Sequence, residues 1–118
     1  MKILVGFVFL LLSAQSLAAT CKISEYSNML VDESSRVVPV ALEPSVRQAV
    51  TYTATSGQSA AFATATRFVR IICDAKAHFR FSTAGTDAVA TDPYLPADTA
   101  EYFGVPPGGA YIVDFNTG

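Results

Sequence analysis

With 118 residues, a formal net charge of −2 and 15% charged residues, the chain has the length of one domain and no excess of positive charge for binding nucleic acid. Apolar residues make up 51% of the sequence, which is enough to bury a core without several disulfides or a structural metal. The composition therefore predicts a single small domain and no nucleic-acid partner.

The N-terminal segment is typical of a secretory signal peptide. Lys2 precedes an apolar run from Ile3 to Leu12, and small and polar residues follow it. The run is about ten residues long, whereas a membrane-spanning helix needs about 20, so no permanent membrane span is expected. We predict a signal-peptide-like segment at 1–18 and a domain at 19–118.

Two cysteines, Cys21 and Cys73, belong to the predicted domain. In an oxidising compartment they could form a disulfide that ties the N-terminal arm to a central strand. The alternative is two free thiols, with Cys73 acting as a small core residue. Lipidation of Cys21 is a further alternative, but Thr20 is an unfavourable residue before a lipidated cysteine. The sequence leaves the pairing open.

The segments after residue 36 alternate between strand-like runs and turn residues. Residues 37–42 are apolar and β-branched, and Pro39 favours an edge strand because proline cannot donate to a ladder. Residues 43–55 end in a strand-like alternation, and 45–49 is the best candidate for a short helical turn. Residues 56–59 are predicted to form a turn, in which Gly57 is free to adopt a positive φ.

Two hairpins are predicted further along the chain. Residues 67–73 are apolar on both faces, which indicates a central strand, and residues 78–82 alternate with His78 on the solvent face. The short turn between these two segments predicts that they pair. Residues 101–105 and 110–115 flank a Pro-Pro-Gly-Gly turn, which predicts a second hairpin.

Six to eight short antiparallel strands separated by turn residues predict an all-β fold, either a small β-sandwich or a jelly-roll-like barrel. No repeat and no long linker divides the chain. The function therefore has to be sought on the surface or loops of one small domain.

The residues of common catalytic sites are not grouped in the sequence. His78 is the only histidine, so no second histidine could pair with a serine or a cysteine. A zinc site would need three or four nitrogen or sulfur ligands, and two distant cysteines with one histidine do not suggest one. We therefore predict a protein that is not an enzyme and holds no cofactor.

One acidic cluster could in principle bind calcium through its oxygen atoms. Its spacing matches no calcium-binding loop, and Asp92 and Asp98 are as easily explained as residues that cap turns. No metal site is therefore predicted. The cluster comprises Asp87, Asp92, Asp98 and Glu101.

The Thr-, Ala- and Pro-rich loop at 83–100 contains a candidate partner contact. Tyr94 and Leu95 lie between two prolines, and a rigid loop with an aromatic and an aliphatic side chain can fill a pocket on a partner. The alternative is that this loop folds back onto the end of the sheet. The predicted contact residues, including those of the second hairpin, are Tyr94, Leu95, Pro96, Tyr102 and Phe103.

Residues 68–115 contain a V-R-I motif, an H-F-x-F motif and the segment YLPADTAEYFGV. This layout resembles a group of small β-rich proteins encoded by tailed bacteriophages and prophages, and residues 22–26 resemble the start of some of them. The resemblance implies a β-sandwich component of the virion, in head decoration or fibre attachment. Capsid or tail proteins would then be the partners.

Two functional hypotheses follow. The first is a structural or adhesion module of the phage virion type, acting through protein–protein contacts or self-association as a homo-oligomer. The second is an exported periplasmic or cell-surface binding domain stapled by a Cys21–Cys73 disulfide. The expected location is the virion or, if the N-terminal segment works as a signal peptide, the periplasm or the extracellular space.

Overall fold

A computed structural model describes residues 18–27, 30–31, 34, 37–38, 44–106 and 108–118. Within these ranges the protein is all β, with ten strands and no helix, which confirms the predicted class. None of its described elements is a helix of the length and hydropathy required to cross a membrane. The signal-peptide-like segment, except Ala18, and the predicted edge residue Pro39 lie outside the described residues.

The strands are short, and all those that pair do so in antiparallel fashion. They are β1 (Ala19–Tyr26), β2 (Leu30–Val31), β3 (Val37–Val38), β4 (Val46–Tyr52), β5 (Gly57–Gln58), β6 (Phe68–Cys73), β7 (Ala77–Ser82), β8 (Tyr94–Leu95), β9 (Glu101–Gly104) and β10 (Ile112–Asn116).

Eight of the strands form two four-stranded sheets. Sheet 1 has the order β4-β1-β6-β9, and sheet 2 has the order β5-β10-β7-β8. The two remaining strands, β2 and β3, pair with each other. In sheet 1 the longest strand, β1, pairs with β4 on one side and with β6 on the other.

Alternation along the strands sends apolar side chains from both sheets into one core. In β6 the inward side chains are those of Val69, Ile71 and Cys73, and in β10 they are those of Val113 and Phe115. Further members of the core come from β1, β4, β7, β8 and the loops: Ala19, Cys21, Ile23, Val50, Tyr52, Phe62, Ala77, Leu95 and Val105.

A disulfide joins Cys21 of β1 to Cys73 of β6 inside this core. The two cysteines are direct cross-strand neighbours and both are buried. The next pair along the ladder is hydrogen-bonded, because Asp74 N–H donates to the carbonyl oxygen of Thr20 over 3.1 Å. The disulfide therefore occupies a non-hydrogen-bonded pair, where facing side chains lie closest.

Both predicted hairpins are wrong, because the chain changes sheet at each of the two turns. Strand β6 belongs to sheet 1 while β7 belongs to sheet 2, and the same holds for β9 and β10. Strand β6 pairs with β1 and β9 instead, and β10 pairs with β5 and β7. Alternation identified the strands correctly but did not determine which strands pair.

The crossing between β6 and β7 is held by a tyrosine from a third strand. The Tyr52 hydroxyl, at the end of β4, donates to the carbonyl oxygen of Ala75 over 2.9 Å and lies 3.3 Å from that of Lys76. Burial, and secondarily the charge of Asp74, raises the pKa of Tyr52 to about 12, so the hydroxyl stays protonated as a donor. The disulfide holds Cys73 against β1, while Tyr52 holds the carbonyl group of Ala75. The chain therefore leaves sheet 1 between these two residues.

Two local predictions around β4 are also wrong. Residues 45–49 do not form a helical turn; Val46 to Ala49 are the first residues of β4. Gly57 does not adopt a positive φ but lies in β5, close to the backbone of β4. A Cβ at Gly57 would approach the Tyr52 Cα to 2.6 Å, so this position requires glycine for lack of space.

A buried carboxylate closes one end of the core. Glu25 of β1 is fully buried and accepts hydrogen bonds from the Thr66 hydroxyl (2.8 Å), from Ala63 N–H (2.9 Å) and from the Gln48 side chain (2.9 Å). These three hydrogen bonds satisfy the carboxylate oxygens of Glu25, and none of the three donors carries a charge. Glu25 thereby fixes residues 60–66, which contain no strand, against β1 and β4.

We expect the Cys21→Ala/Cys73→Ala double variant to lose about 3–4 kcal/mol of unfolding free energy, because the disulfide closes a loop with a sequence separation of 52. Urea titration monitored by tyrosine fluorescence measures the loss. Dithiothreitol should lower the wild-type midpoint towards that of the variant and leave the variant unchanged. A loss below about 1 kcal/mol would contradict a stabilising role for the bond.

Candidate functional site

An apolar pocket opens beside β9, the edge strand of sheet 1. Its volume is about 220 Å³, and it is lined by Phe81, Phe103, Gly104, Val105, Pro106 and Tyr111. Its walls come from both sheets and from the chain that crosses between them. Because it faces solvent and carries almost only apolar side chains, it can take an apolar group from a partner.

Aromatic contacts between the sheets form the floor of this pocket. The Phe103 ring of β9 lies 5.1 Å, centroid to centroid, from both Phe79 and Phe81 of β7. Phe81 also contacts Phe62 at 6.3 Å. Rings at these separations attract each other, so the floor is fixed by packing rather than by a loop conformation.

The free edge of β9 lies next to the pocket. Val105 N–H donates to the Arg67 carbonyl over 2.8 Å, so this residue directs its backbone groups towards β6. Backbone groups alternate in direction along a strand, so those of Gly104 and Tyr102 point away from β6. No described strand pairs with β9 on that side. A donor and acceptor row is thus exposed beside an apolar pocket.

The predicted contact residues fall into different environments. Tyr102 has 47% of its surface exposed and lies on the outer face of β9, whereas Phe103 points inward as part of the pocket. Tyr94 is 55% exposed, and the Lys76 ammonium lies 4.4 Å from the centroid of its ring. Pro96 is exposed.

Leu95 corrects the predicted partner contact. Its side chain is buried in the core, and its strand, β8, pairs with β7 at the edge of sheet 2. The segment therefore folds back onto the sheet, which was the alternative to a projecting tip. Leu95 cannot fill a pocket on a partner, because filling the interior of its own domain removes it from the surface.

The pocket contains residues that the sequence did not indicate. The sequence pattern places Phe81, Val105 and Tyr111 in predicted strands and Gly104 in a predicted hairpin, and it gives none of them a surface role. The signal that could have found them is the row of aromatic residues at 79, 81 and 103. It becomes a pocket only when sheet 1 and sheet 2 are brought together.

The outer face of sheet 2 is covered by residues 83–93, here called the cover loop. Gln58 donates to the Gly85 carbonyl oxygen (2.9 Å), and Asn116 donates to that of Ala88 (3.2 Å). Of the cover-loop side chains, only that of Ala88 is buried. Hydrogen bonds rather than apolar contacts therefore hold the cover loop on the sheet.

The cover loop also supplies the carboxylate of a salt bridge. Arg80 of β7 donates from Nε (3.0 Å) and from an Nη atom (2.9 Å) to the two oxygens of Asp92. The hydrogen bonds from the Arg80 guanidinium are the main cause of a lowered pKa of Asp92. A hydrogen bond from Val89 N–H to the carboxylate lowers this pKa further. The pair fixes the last part of the cover loop over β7.

His78 does not face solvent as predicted but is buried beneath the cover loop. Its Nδ1 lies 2.8 Å from the Asp92 carbonyl oxygen, so this nitrogen carries the proton and donates. The Tyr94 ring packs edge-on against it at 5.7 Å. His78 therefore connects the cover loop to sheet 2.

Asp114 is a buried carboxylate with one unsatisfied oxygen. It lies in β10, between Gln58 and Arg80 on the neighbouring strands. Its Oδ1 accepts from Ala88 N–H over 2.8 Å, while Oδ2 is buried without a hydrogen-bond partner. Burial, together with the charge of Asp87, raises the pKa of Asp114. An ionised Asp114 therefore destabilises the fold.

The acidic cluster of the sequence is dispersed in the structure. Asp92 is paired with Arg80, and Asp98 adopts a φ of 57° while its N–H donates to the Cys73 carbonyl over 2.7 Å. Asp87 and Glu101 are exposed. Across the described part of the chain, no three His, Cys, Asp or Glu side chains come together as metal ligands would.

Comparisons with models of known protein families, with curated proteins and with solved structures gave no significant match to this chain.

Because burial raises the pKa of Asp114, the folded protein binds a proton that the unfolded chain lacks at pH values above the ordinary 3.8 and below the raised value. The unfolding free energy should therefore fall as the pH rises through this window. Asp114→Asn should remove that dependence. Urea titrations at several pH values between about 2 and 8 measure it.

Asp92→Asn is the matched control, because the pKa of Asp92 is lowered from 3.8. The stability contributed by ionised Asp92 is fully present above that value and is lost only as the pH falls below it. The two variants should thus change the profile on opposite sides of pH 3.8. A wild-type slope that persists in Asp114→Asn would show that another group titrates.

Proposed function

We propose that the two sheets pack as a β-sandwich and that the protein is a non-enzymatic module that binds another protein. The pocket and the free edge of β9 form the contact surface. An extended segment of the partner would pair with the outward backbone groups of Tyr102 and Gly104 and place an apolar side chain in the pocket. This is strand addition, in which backbone bonds give affinity and the pocket gives selectivity.

The juxtaposition of pocket and edge is the observation that carries the proposal. A short edge strand alone is common in β proteins, and natural edges are often protected by charge, proline or a covering loop. Here the cover loop lies over sheet 2, and Glu101 is the only charged residue of β9. Tyr102 is exposed at the same edge, and tyrosine is frequent at the centre of interfaces.

The chemistry of the described residues supports binding rather than catalysis. The one histidine of the chain is buried and donates to a backbone carbonyl. Asp114 is buried under the cover loop, away from the pocket. The pocket itself is lined by apolar side chains, glycine and a tyrosine, which supply neither a nucleophile with its base nor a metal ligand set.

An exported setting is the first of two that fit this function. The Cys21–Cys73 disulfide supports it, because disulfides persist in the periplasm and outside the cell and are rare in the cytoplasm. The signal-peptide-like sequence at the N-terminus supports the same setting. The protein would then be a periplasmic or cell-surface binding domain.

A virion component is the second setting, in head decoration or fibre attachment. It is favoured by the resemblance of residues 68–115 to small phage-encoded proteins. The partner would be a capsid or tail protein, or a second copy of the chain in a homo-oligomer. Co-purification with phage particles and N-terminal sequencing of the mature protein separate the two settings.

Gly104→Pro tests the contact surface. Proline removes the outward N–H of this position but leaves the bonds of Phe103 and Val105 to β6 in place. Affinity-tagged wild-type protein should capture a partner from extracts of the source cells, and Gly104→Pro should capture it at least about tenfold more weakly, as expected for a lost edge bond with strained geometry. Quantitative mass spectrometry measures the captured partner.

Gly104→Ala is the matched control, because a Cβ at this position meets no atom within 4 Å. It should capture the partner as the wild type does, and both variants should keep the wild-type circular dichroism spectrum. Cross-linking should map the contact to residues 101–106. Equal capture by Gly104→Pro and Gly104→Ala, or cross-links confined to another face, would overturn this placement.

A further inference from the structure

The outer face of sheet 2 buries polar side chains rather than apolar ones. His78 of β7 and Asp114 and Asn116 of β10 have the outward parity of their strands, yet all three are buried. The cover loop lies over them through hydrogen bonds, and of its own side chains only that of Ala88 is buried. Lifting the cover loop would therefore expose mainly polar groups, which water can satisfy, and little apolar surface.

Asp114 is the group that the closed cover loop satisfies least. Its Oδ1 accepts from Ala88 N–H over 2.8 Å, whereas Oδ2 is buried and has no hydrogen-bond partner among the described residues. Burial disfavours the charged form of a carboxyl group, and a missing hydrogen bond removes what would compensate for it. The closed cover loop is therefore matched to a neutral Asp114.

The elements packed against Asp114 carry one cation and two further carboxylates. Arg80 of β7 is its direct cross-strand neighbour, whereas β5 on the other side presents the uncharged Gln58. The cover loop contributes Asp87 and Asp92. Arg80 binds both oxygens of Asp92 over 3.0 and 2.9 Å, so its charge is used on the cover loop and not on its strand neighbour.

His78 is the other titratable group of this face, two residues from Arg80 along β7. Its Nδ1 donates to the Asp92 carbonyl oxygen over 2.8 Å. This nitrogen carries a proton in the neutral form that makes this bond and also in the imidazolium form. Protonation of His78 therefore leaves the hydrogen bond to the cover loop in place.

We infer that the cover loop is a pH-sensitive lid that opens when Asp114 ionises, and that Arg80 then moves from Asp92 to Asp114. In the closed state Arg80 binds Asp92, and Asp114 is neutral. In the open state Asp114 has released its proton to solvent, water reaches Oδ2, and the guanidinium binds the carboxylate. Facing side chains on one face of a sheet have Cβ atoms about 5 Å apart, which an arginine spans easily.

Opening changes what sheet 2 presents to solvent. Gln58 now donates to the Gly85 carbonyl oxygen, Asn116 donates to that of Ala88, and Asp114 accepts from Ala88 N–H. All three side chains bind the main chain of the cover loop, and opening frees them together. The inference is independent of the contact surface proposed above, because β9 is the edge of sheet 1.

The direction of the pH effect follows from the pKa of Asp114 in the two states. Burial, with a further contribution from the charge of Asp87, raises this pKa in the closed state, whereas exposure beside Arg80 returns it to 3.8 or below. Between these two values the ratio of open to closed molecules should rise with pH, by at most tenfold per pH unit. The pKa of Asp92 is lowered in the closed state, so protonation of Asp92 opens the lid only below pH 3.8.

Hydrogen exchange of backbone amides, followed by NMR between about pH 4 and 8, tests the inference. Each rate is divided into that of an unstructured peptide at the same pH to give a protection factor. Protection of the Ala88 and Val89 amides should fall several-fold as the pH rises, and it should stay below that of the β6 amides, because the lid opens while sheet 1 stays folded. In Asp114→Asn the protection of the cover loop should not depend on pH.

Glu101→Gln is the matched control, because it removes an exposed carboxylate of sheet 1 and should keep the wild-type profile. Asp87→Asn should shift the fall in protection to lower pH, because the charge of Asp87 contributes to the raised pKa of Asp114. The Nε–H resonance of Arg80 reports the change of partner. It should move over the same pH range in the wild type and stay constant in Asp114→Asn.

Three results would overturn the lid. They are cover-loop amides that exchange only as fast as those of β6, a protection that is independent of pH in the wild type, and a wild-type pH dependence that persists in Asp114→Asn. An Arg80 resonance that does not move in the wild type would overturn the change of partner. None of these results affects the capture experiment with Gly104→Pro, so a failure of the lid and a failure of the β9 contact are distinguishable.

Discussion

The pairing of β1 with β6, fixed by the Cys21–Cys73 disulfide, is the constraint on which the rest of the structure depends. Strand β1 is central in sheet 1, and its partner β6 carries β9 on its other side. A cross-strand disulfide acts mainly by limiting the unfolded chain, so it favours this register over its competitors. The edge that β9 presents follows from that register, because β9 pairs with the other side of β6.

Polar contacts attach two segments that contain no strand, namely residues 60–66 and the cover loop. Glu25 fixes residues 60–66 at one end of the core, and the cover loop is tied to sheet 2 by Gln58, Arg80 and Asn116. Buried polar groups stabilise a fold only when they are satisfied, and Glu25 meets that condition. Asp114 does so only in part, because its Oδ2 has no partner. The raised pKa of Asp114, which accepts a hydrogen bond from Ala88 N–H, therefore makes the attachment of the cover loop dependent on pH.

The two sheets leave different surfaces for function. Sheet 2 hides its polar outer face under the cover loop. Sheet 1 keeps an open edge at β9, where no described strand pairs with it on the outer side. The pocket lies where these features meet, because Phe103 of sheet 1 packs on Phe79 and Phe81 of sheet 2. A domain of this size can therefore present an open strand edge and an apolar pocket side by side.

The sequence by itself determined the all-β class and most strand positions, because period-two alternation and turn residues act within a few residues of one another. It also indicated that a disulfide was available and predicted a strand at 101–105, which the structure gives as Glu101–Gly104. Only the tertiary structure decided that β6 and β7, and likewise β9 and β10, belong to different sheets. Pairing depends on contacts between residues distant in sequence, such as Tyr52 with Ala75, and local patterns do not encode these. For the same reason the burial of Leu95 and the pocket beside β9 became visible only in the folded chain.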